Sequence, residues 1–470
     1  MSLELLERAQ SGHPHYHLGG GSRRTRAPEP LIPARVPEPG EQYRFHFDMS
    51  RCIGCRCCEV ACSEQNNNPV ERNWRRVGEL EGGAYPFTQR FHLSMGCNHC
   101  LDAACLRGCP VDAYRKDAAT GLVLHSADTC IGCQYCTWNC PYGVPQYNAE
   151  RGVVGKCDMC YGRLAEGSAP ACAEACPEEA IHVELVNIAE WRADYAAADA
   201  PGMPAAEYTL STTRITLPAA ISPGLEKADY HRVRPEHPHL PLVFTLVFTQ
   251  LAVGAFLCLP IFRVTGFAAV AAPLAVALLS LASSTLHLGR PIHAYRALRM
   301  WRRSWLSREV LAFSLFAGAA SLCALLPWRA LEFGAGLLGL AGITCSACIY
   351  LVPARPAWNT RHTVLDFHLT AWILGPLFLA ALGAPVSPLL PLGAAAAQLL
   401  NQVARFLELT GSDEFELRAS ARLLGGDFKT PLFARVLLLI GGGMVLPLLH
   451  LPALALLAAA GGEWIGRYLF

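Results

Sequence analysis

The sequence predicts a chain of two fold classes, a small cysteine-rich α+β domain followed by an all-α polytopic membrane domain of eight transmembrane helices. Two contrasts in composition predict this division. Up to about residue 237 the chain is polar, rich in Pro and Gly, and carries four closely spaced cysteine groups; long runs of Leu, Ala, Gly, Val and Phe with few charges follow. The net charge of +1 averages over both halves, so it indicates no class of partner, and we expect no nucleic-acid partner.

Residues 1–43 are predicted to form a disordered tail, because this segment has few large apolar residues and many Pro, Gly and Arg. The Arg23-Arg24 pair is followed by RAPEPLIPARVPEPG instead of an apolar segment, so we expect no twin-arginine export signal. The histidines of HPHYH (13–17) could hold a metal ion, although an incidental cluster is the favoured interpretation.

Residues 44–185 contain the cysteine groups, and the spacing within each group indicates its chemistry. The groups are Cys52, Cys55, Cys58 and Cys62; Cys97, Cys100, Cys105 and Cys109; Cys130, Cys133, Cys136 and Cys140; and Cys157, Cys160, Cys172 and Cys176. The first and third match the C-x2-C-x2-C-x3-C run of bacterial ferredoxins, and the last three end in Cys-Pro as that run does. The other two have a longer gap before the third cysteine.

Structural zinc and disulfides are the alternative interpretations of these cysteines. Zinc sites use paired C-x2-C units, not three closely spaced thiolates with a distant fourth. Disulfides would need a small exported domain, and repeated C-x2-C pairs make a poor disulfide framework. Soft thiolates suit iron and sulfide, and tight loops wrap backbone N–H groups around cluster sulfurs. Iron-sulfur clusters are therefore the favoured interpretation.

In two-cluster ferredoxins the fourth cysteine of one group ligates the cluster of the other group, so we infer four 4Fe-4S centres in two crossed pairs. The two middle groups form one ferredoxin-like module, inserted into a second module that is split between the outer groups. The predicted ligand sets are, for centre I, Cys97, Cys100, Cys105 and Cys140; for centre II, Cys130, Cys133, Cys136 and Cys109; for centre III, Cys52, Cys55, Cys58 and Cys176; and for centre IV, Cys157, Cys160, Cys172 and Cys62. Cys57 is left over as a packed neighbour of the cluster loop. Four centres in this double ferredoxin-like domain predict a line of one-electron carriers between two remote sites.

Residues 45 to 185 resemble the iron-sulfur subunit of the dimethyl sulfoxide reductase family of molybdoenzymes. The stretches CNHC…CP, CIGCQYC…CPYGVPQYN and KCDMCYGRLAEG carry the resemblance. In nitrate reductase relatives a Trp replaces the second cysteine of the third group and gives a three-iron centre. This chain has Cys133 there, so the resemblance implies four 4Fe-4S centres.

Residues 186–238 predict a linker that wraps the domain and includes a strand-like TTRITL, and residues 239–470 predict the membrane domain. Its segments approach the roughly 20 apolar residues that span a bilayer. They are 240–262, 267–288, 308–327, 331–352, 363–383, 386–404, 432–450 and 452–470. A buried soluble bundle is disfavoured, because links as short as RVTG and GAPV join these runs. An even number of spans places the ends of helices 2, 4, 6 and 8 on the side of the iron-sulfur domain.

Ionisable residues on that side predict a functional site, which the family resemblance implies to be a quinol site. His287 ends helix 2, Asp366 and His368 begin helix 5, and Glu463 and Arg467 end helix 8. Ionisable side chains inside membrane spans are costly and indicate function by default. The alternative is that they pair with one another or reach the lipid headgroups.

The membrane half resembles the anchor subunit of dimethyl sulfoxide reductases over nearly its whole length. The matching stretches are HPHLPLVFTLVFTQLAVGAF, STLHLGRPIHAYRAL, SWLSREV and GEWIGR. The resemblance implies a menaquinol site that contains His287, whose imidazole titrates near neutral pH and can accept a quinol proton.

The implied function is quinol oxidation, with electrons passing through four clusters to a separate molybdopterin-containing catalytic subunit. The alternatives are reverse flow from a formate-oxidising type of subunit into quinone, a polyferredoxin with a purely structural anchor, and haem b held by His287 and His368. The sequence leaves open whether the terminal acceptor is dimethyl sulfoxide, another S- or N-oxide, or nitrate.

We expect a multi-pass protein of the bacterial inner membrane with its iron-sulfur domain in the cytoplasm, although dimethyl sulfoxide reductases of the familiar bacterial type face the periplasm. Positive charges on the domain side support this through the positive-inside rule. They are Lys227, Arg232, Arg234, Arg290, Arg296, Arg299, Arg302, Arg303, Arg308, Arg355, Arg361, Arg405, Arg418, Arg422 and Lys429, against Arg263 and Arg329 on the other side. Docking of the catalytic subunit or of lipid headgroups by these residues is the alternative explanation.

Overall fold

The computed structural model describes residues 30–86, 88–222, 224–228, 235, 238–326 and 328–470. Most of the predicted tail lies outside these ranges, as do the Arg23-Arg24 pair, the histidines at 13–17, Arg232 and Arg234. The described residues form a cysteine-rich α+β domain and a bundle of long helices, in the order that the composition predicts.

In the α+β domain, the first strand pairs with strands from the C-terminal part of the domain. The strands are β1 (Glu41–Asp48), β2 (Arg76–Gly82), β3 (Gln89–Met95), β4 (Tyr114–Lys116), β5 (Val123–His125), β6 (Gln146–Asn148), β7 (Val153–Gly155), β8 (Ile181–Asn187), β9 (Arg214–Thr216) and β10 (Glu226–Lys227). β1 pairs antiparallel with β8 and parallel with β9, while β2 lies between β3 and β10. The hairpins β4-β5 and β6-β7 lie between β1 and β8 in sequence. This is the arrangement expected when one module is inserted into another.

Short helices accompany the cysteine groups. They are α1 (Cys57–Gln65), α2 (Ala104–Gly108), α3 (Tyr135–Asn139), α4 (Tyr161–Ala165) and α5 (Ala171–Glu174), with α6 (Ile188–Ala193) following β8. In the two groups with the ferredoxin spacing, the loop before the helix turns through Gly54 (φ +71°) and Gly132 (φ +70°). Glycine adopts this left-handed conformation without the steric cost that a Cβ brings.

Backbone pairing also extends the domain beyond its predicted limits. β1 begins at Glu41, inside the predicted tail, and the carbonyl of Leu31 accepts a hydrogen bond from the Val183 amide at 2.8 Å. β8 runs past residue 185, and the linker supplies β9 from TTRITL as well as β10. The polar composition of these segments did not indicate that they belong to the domain. They join it through backbone hydrogen bonds, which do not depend on the type of side chain.

Helices occur at all eight positions predicted for the membrane half. The helices are α7 (Leu240–Ile261), α8 (Phe267–Ser283), α9 (Trp305–Leu325), α10 (Arg329–Tyr350), α11 (Arg361–Ala381), α12 (Leu389–Gly411), α13 (Phe415–Gly425), α14 (Lys429–Ile440), α15 (Leu446–Leu448) and α16 (Pro452–Tyr468). A π-helical turn, Gly441–Val445, joins α14 to α15.

Six helices in the described part of the chain are long and apolar enough to cross a membrane, which makes this a multi-pass membrane protein. They begin at Leu240, Phe267, Trp305, Arg329, Arg361 and Lys429. α12 falls short because it carries polar residues along its length, and α16 because it has only 17 residues. Eight spans therefore stay a prediction.

Small residues let the membrane helices approach closely, as is common in bilayers. A Cβ added at Gly254 of α7 would lie 2.0 Å from the carbonyl oxygen of Ala371 in α11. One added at Gly442 would lie 2.3 Å from the Ala459 amide nitrogen of α16. These contacts join α7 to α11, and the π-helical turn to α16.

Candidate functional site

The predicted cluster cysteines lie in four groups whose thiols interact electrostatically with one another. In centre I, Cys105 interacts with Cys97, Cys100 and Cys140. In centre II, Cys136 interacts with Cys109, Cys130 and Cys133. In centre III, Cys52 interacts with Cys55 and Cys176, and Cys58 also interacts with Cys176. In centre IV, Cys62 interacts with Cys160 and Cys172, and Cys157 also interacts with Cys62 and Cys172. Thiols within each predicted set are thus neighbours, while Cys58 also interacts with Cys172 and Cys157 with Cys97 of other sets, so the four ligand sets stay a prediction.

Cys57 is placed differently from its prediction. Its side chain is exposed and interacts with Cys55, so it does not pack inside the cluster loop. The reason is its position in the first turn of α1, beside Cys58, which takes the buried side of that turn.

Backbone N–H groups point at thiols in all four predicted centres, in the first of them through the amides of Tyr142 and Val144 at Cys140. The amide of Ala113 donates to Cys109 Sγ at 3.3 Å and that of Gly132 to Cys130 Sγ at 3.4 Å. The amides of Met159 and Ala180 donate to Cys157 Sγ at 3.4 Å and Cys176 Sγ at 3.3 Å. Such donors surround the sulfurs of iron-sulfur clusters and help to set their potentials.

The chemistry of the donors also fits clusters. Burial, followed by the charge of a neighbouring thiolate, raises the pKa of Cys62 and of Cys100 to about 12 in each case. Soft sulfur ligands are those that iron-sulfur clusters use. Among the residues that the structure describes, no three His, Cys, Asp or Glu side chains lie close enough to hold a single metal ion. Hollows lined by the cysteines of centres I and III are present.

The four centres lie in a row. Tyr114 is buried and interacts with Cys136 of centre II and Cys105 of centre I. Cys157 of centre IV interacts with Cys97 of centre I. Cys58 of centre III interacts with Cys172 of centre IV. The order in space is therefore II, I, IV, III.

Centre II is the end that faces the membrane domain. The link between α8 and α9 binds its two cysteine loops: the Arg290 amide donates to the Ile131 carbonyl at 3.1 Å, and the Met300 amide to the Pro110 carbonyl at 3.2 Å. Ser304 Oγ donates to the Gly108 carbonyl at 2.6 Å. The same link thus fixes centre II against the helices.

Centre III is the end that faces away. Cys55 is exposed, and three apolar side chains of residues 53–70 are largely uncovered, Ile53 at 59%, Val60 at 60% and Val70 at 89%. Contiguous exposed apolar patches mark interaction surfaces.

A cavity of about 390 Å³ lies between centre II and the helix bundle. Trp138, which lies between Cys136 and Cys140 in the sequence, forms the wall of the cavity towards centre II. The indole stacks on Tyr350 with 5.7 Å between ring centres and meets the edge of Trp358 at 5.7 Å. Other lining residues are His239, Leu242, Leu246, Arg405, Phe415, Leu423, Arg467 and Phe470. The cavity is mostly apolar, with a few polar groups, as small-molecule sites usually are.

Three of the five residues predicted for the quinol site meet below this cavity. Arg467 Nη2 donates to Gln250 Oε1 at 3.0 Å and to the Asp366 carbonyl at 3.1 Å. The Thr370 hydroxyl lies 3.0 Å from the same guanidinium and donates to Glu463 Oε2 at 2.7 Å. Asp366, Glu463 and Arg467 are all buried, and the Asp366 carboxylate accepts a hydrogen bond from Asn401 at 2.8 Å and lies 3.7 Å from Arg405.

The other two predicted residues lie elsewhere. The ring of His287 contacts the Ser284 carbonyl and interacts electrostatically with His239, but it does not line the cavity. His368 is hydrogen-bonded through Nε2 to the Thr344 hydroxyl at 3.1 Å and through Nδ1 to the Val364 carbonyl at 2.8 Å. Because it is two positions from Asp366 on α11, its side chain points to another face of the helix.

Sequence reasoning missed three residues at this site. His239 lines the cavity from the start of α7, and Trp138 forms the wall towards centre II. Glu309 of α9 interacts electrostatically with Tyr135 and Tyr350 beneath centre II. The available signals were a glutamate inside an apolar span, in SWLSREV, and a histidine directly before the first span.

The fold and these sites define a membrane-anchored iron-sulfur electron-transfer protein. The model of the 4Fe-4S dicluster domain family matches residues 88–185, and that of the DMSO reductase anchor subunit (DmsC) matches residues 235–389. The protein is 42% identical over 176 residues to YnfG of Escherichia coli, a probable anaerobic dimethyl sulfoxide reductase subunit, covering 36% of this chain and 85% of that one. It therefore belongs to the dimethyl sulfoxide reductase family, as an iron-sulfur subunit joined to a DmsC-type anchor.

Two further relatives are similar over the same half. The B subunit of the anaerobic dimethyl sulfoxide reductase of Haemophilus influenzae is 40% identical over 190 residues, covering 38% of this chain and 88% of that subunit. The formate dehydrogenase iron-sulfur subunit of Wolinella succinogenes is 38% identical over 166 residues, covering 31% of this chain and 82% of that subunit.

Proposed function

We propose that this chain oxidises quinol, with menaquinol as the first candidate, and passes the electrons through four 4Fe-4S clusters to a separate molybdopterin-containing catalytic subunit. The observation that carries the proposal is the row of thiol groups that leads from the membrane cavity to an exposed apolar surface. The relatives named as dimethyl sulfoxide reductase subunits support the choice of partner.

We place quinol in the cavity below Trp138. The rings of Trp138, Tyr350 and Trp358 offer faces for a planar headgroup, and the apolar walls suit its isoprenoid tail. Arg467 and Arg405 can hold the ring oxygens, since both line the cavity with their guanidinium groups fixed by Asp366.

Quinol gives up two protons and two electrons when it is oxidised. His239 can accept a proton, because it lines the cavity and imidazole titrates near neutral pH. His239 precedes α7 at the edge of the helix bundle, so the proton leaves on the side of the iron-sulfur domain. When bound, a 4Fe-4S cluster accepts and releases one electron at a time. Trp138 lines the cavity and follows Cys136 of centre II by two positions in the sequence.

The catalytic subunit is proposed to dock over centre III. Cys55 is exposed in the same stretch of chain as three uncovered apolar side chains, Ile53, Val60 and Val70, which a partner would cover. A redox partner that binds here would receive electrons from the last centre of the row.

Replacement of His239 by glutamine is expected to slow quinol oxidation by roughly 10²-fold, the lower range for loss of a general base. Stopped-flow bleaching of cluster absorbance by a soluble menaquinol analogue measures this rate in the purified chain. His368→Gln is the matched control, because that ring is bonded to Thr344 away from the cavity, and its rate should stay near that of the parent. Equal slowing in both variants would contradict the placement of quinol, while dithionite should still reduce the clusters in each.

Reverse flow, from a formate-oxidising type of subunit into quinone, is the second candidate. The similarity to formate dehydrogenase iron-sulfur subunits of Wolinella succinogenes and Escherichia coli favours considering it. Redox titration against the quinone pool distinguishes the directions. Potentials that rise from centre II to centre III support quinol oxidation, and potentials that fall along that row support quinone reduction.

We also propose that the iron-sulfur domain lies in the cytoplasm, from the excess of positive charge on its side of the membrane. Part of that charge has a structural role. Arg290 donates to the Ala127 carbonyl at 2.8 Å, Arg296 to the Asp128 carbonyl at 3.1 Å, and Arg303 pairs with Asp112 at 2.8 Å. These arginines dock the iron-sulfur domain itself and count less towards orientation.

A reporter fused through a flexible linker after Phe470 is expected to show a cytoplasmic domain. The end of the chain lies on the domain side, because the Phe470 ring stacks on Trp358, which meets Trp138. A fluorescent-protein fusion should fluoresce, and an alkaline phosphatase fusion should be inactive. The opposite pair of results would show that the domain is periplasmic.

A further inference from the structure

Two cations are buried between the proposed clusters, and the function proposed above gives neither of them a role. Arg75 is 2% exposed and Lys156 is 4% exposed. A buried charge is costly unless an opposite charge or hydrogen bonds compensate it. The groups that compensate these two cations therefore indicate what each of them does.

Arg75 lies between centres III and IV. Its Nη1 donates to Ser94 Oγ at 3.2 Å, and the guanidinium lies 4.5 Å from the centre of the Phe45 ring. Its Nε and Nη2 meet no hydrogen-bond partner among the residues that the structure describes. The strongest electrostatic partners of its charge are thiols, namely Cys58 of centre III and Cys62, Cys157 and Cys172 of centre IV. Its counter-charge is thus the sulfur of two centres.

Lys156 lies between centres I and IV. Its Nζ is 3.6 Å from Cys97 Sγ and donates to the carbonyls of Val123 and, at 2.7 Å, Cys157. Its strongest electrostatic partners are Cys97 and Cys105 of centre I and Cys157 of centre IV. Asp158 follows in strength, so thiols again supply most of the negative charge.

We propose that Arg75 and Lys156 are fixed positive charges that raise the reduction potentials of the centres beside them. Arg75 acts on centres III and IV, and Lys156 on centres I and IV. Reduction adds a negative charge to a cluster, and a nearby buried cation stabilises the reduced form. Centre II lies beside neither cation, whereas centre IV lies beside both. The inference rests on the proposed four-cluster assignment and is independent of the direction of electron flow.

Redox titration followed by electron paramagnetic resonance tests this in the purified full-length chain with its clusters. Arg75→Gln should lower the potentials of centres III and IV, and Lys156→Gln those of centres I and IV. We expect a change of roughly tenfold in each reduction equilibrium, which is about 59 mV for a one-electron couple. Centre II should move in neither variant and centre IV in both. Single-cysteine variants assign each signal to its centre.

Arg75→Lys and Lys156→Arg keep the charge and are the matched controls, expected to retain the parental potentials. An equal shift of all four centres, or no shift with every cluster present, would overturn the proposal. Loss of clusters in a glutamine variant but not in its control would support it, because charge alone then decides assembly. Loss in both would show that side-chain shape matters and would overturn it for that residue. Iron content and spectra of the unaltered chain test the cluster assignment separately.

Discussion

Replacing Cys133 by alanine is expected to stop quinol-driven reduction of the whole iron-sulfur domain. Cys133 belongs to centre II, which lies at the membrane end of the row and which the link between α8 and α9 holds against the helices. Without it, electrons from the cavity have no adjacent acceptor. The other three centres use none of the four thiols predicted for centre II and should still assemble.

Electron paramagnetic resonance after addition of a menaquinol analogue measures this result. The variant should show no reduced centre with quinol, whereas dithionite should reduce centres I, III and IV. Cys55→Ala, at the opposite end, is the matched control: quinol should still reduce centres I, II and IV, while transfer to the catalytic subunit fails. Quinol reduction of the remaining centres at the parental rate in the Cys133 variant would show that the row is entered elsewhere.

The cysteine groups could be predicted from sequence because cluster loops are local. In the two groups with the ferredoxin spacing, three thiols lie within about seven residues, and only the fourth comes from a distance. The crossed pairing follows from the same rule and stays a prediction. No sequence pattern predicted that the buried cations, Arg75 and Lys156, lie between the centres. Arg75 precedes β2 and reaches Ser94 of β3, a contact that only the folded sheet creates.

The residues of the quinol site were harder to predict, because small features of the helices decide which way a side chain points. α8 ends at Ser283, and a short 3-10 turn then carries His287 away from the cavity wall. His368 and Asp366 are close in sequence but lie on different faces of α11. Arg467 and Glu463, one turn apart on α16, share a face and do meet Thr370 of α11.

An arginine near a membrane helix can set the orientation of that helix or bind a neighbouring domain. The sequence alone does not distinguish these two roles. A positive-inside count treats each arginine as a contribution to orientation. In the structure Arg290 and Arg296 bind backbone carbonyls of the iron-sulfur domain, so their positions are set by that interface. Only the folded contact between the two halves distinguishes one use from the other.

Replacing Gly289 by alanine is expected to separate centre II from the quinol cavity without removing any cluster. An added Cβ would lie 2.2 Å from the Gly152 carbonyl oxygen, where a non-bonded separation of about 3.5 Å is normal. Gly132, in the loop of centre II, packs on the same two glycines, since its own Cβ would lie 2.4 Å from that oxygen. All these neighbours are backbone atoms, so the two halves must move apart by about 1 Å or more.

Overpacking of this kind costs about 1–3 kcal/mol, so the chain should still fold and bind its clusters. Electron transfer falls off steeply with distance, so the wider gap between quinol and centre II is expected to slow quinol-driven reduction several-fold. Stopped-flow reduction by a menaquinol analogue, with iron content measured on the same sample, tests this. Gly318→Ala is the matched control, because a Cβ there meets no atom within 4 Å. Parental rates in the Gly289 variant would show that the contact of the three glycines does not set the distance between centre II and quinol.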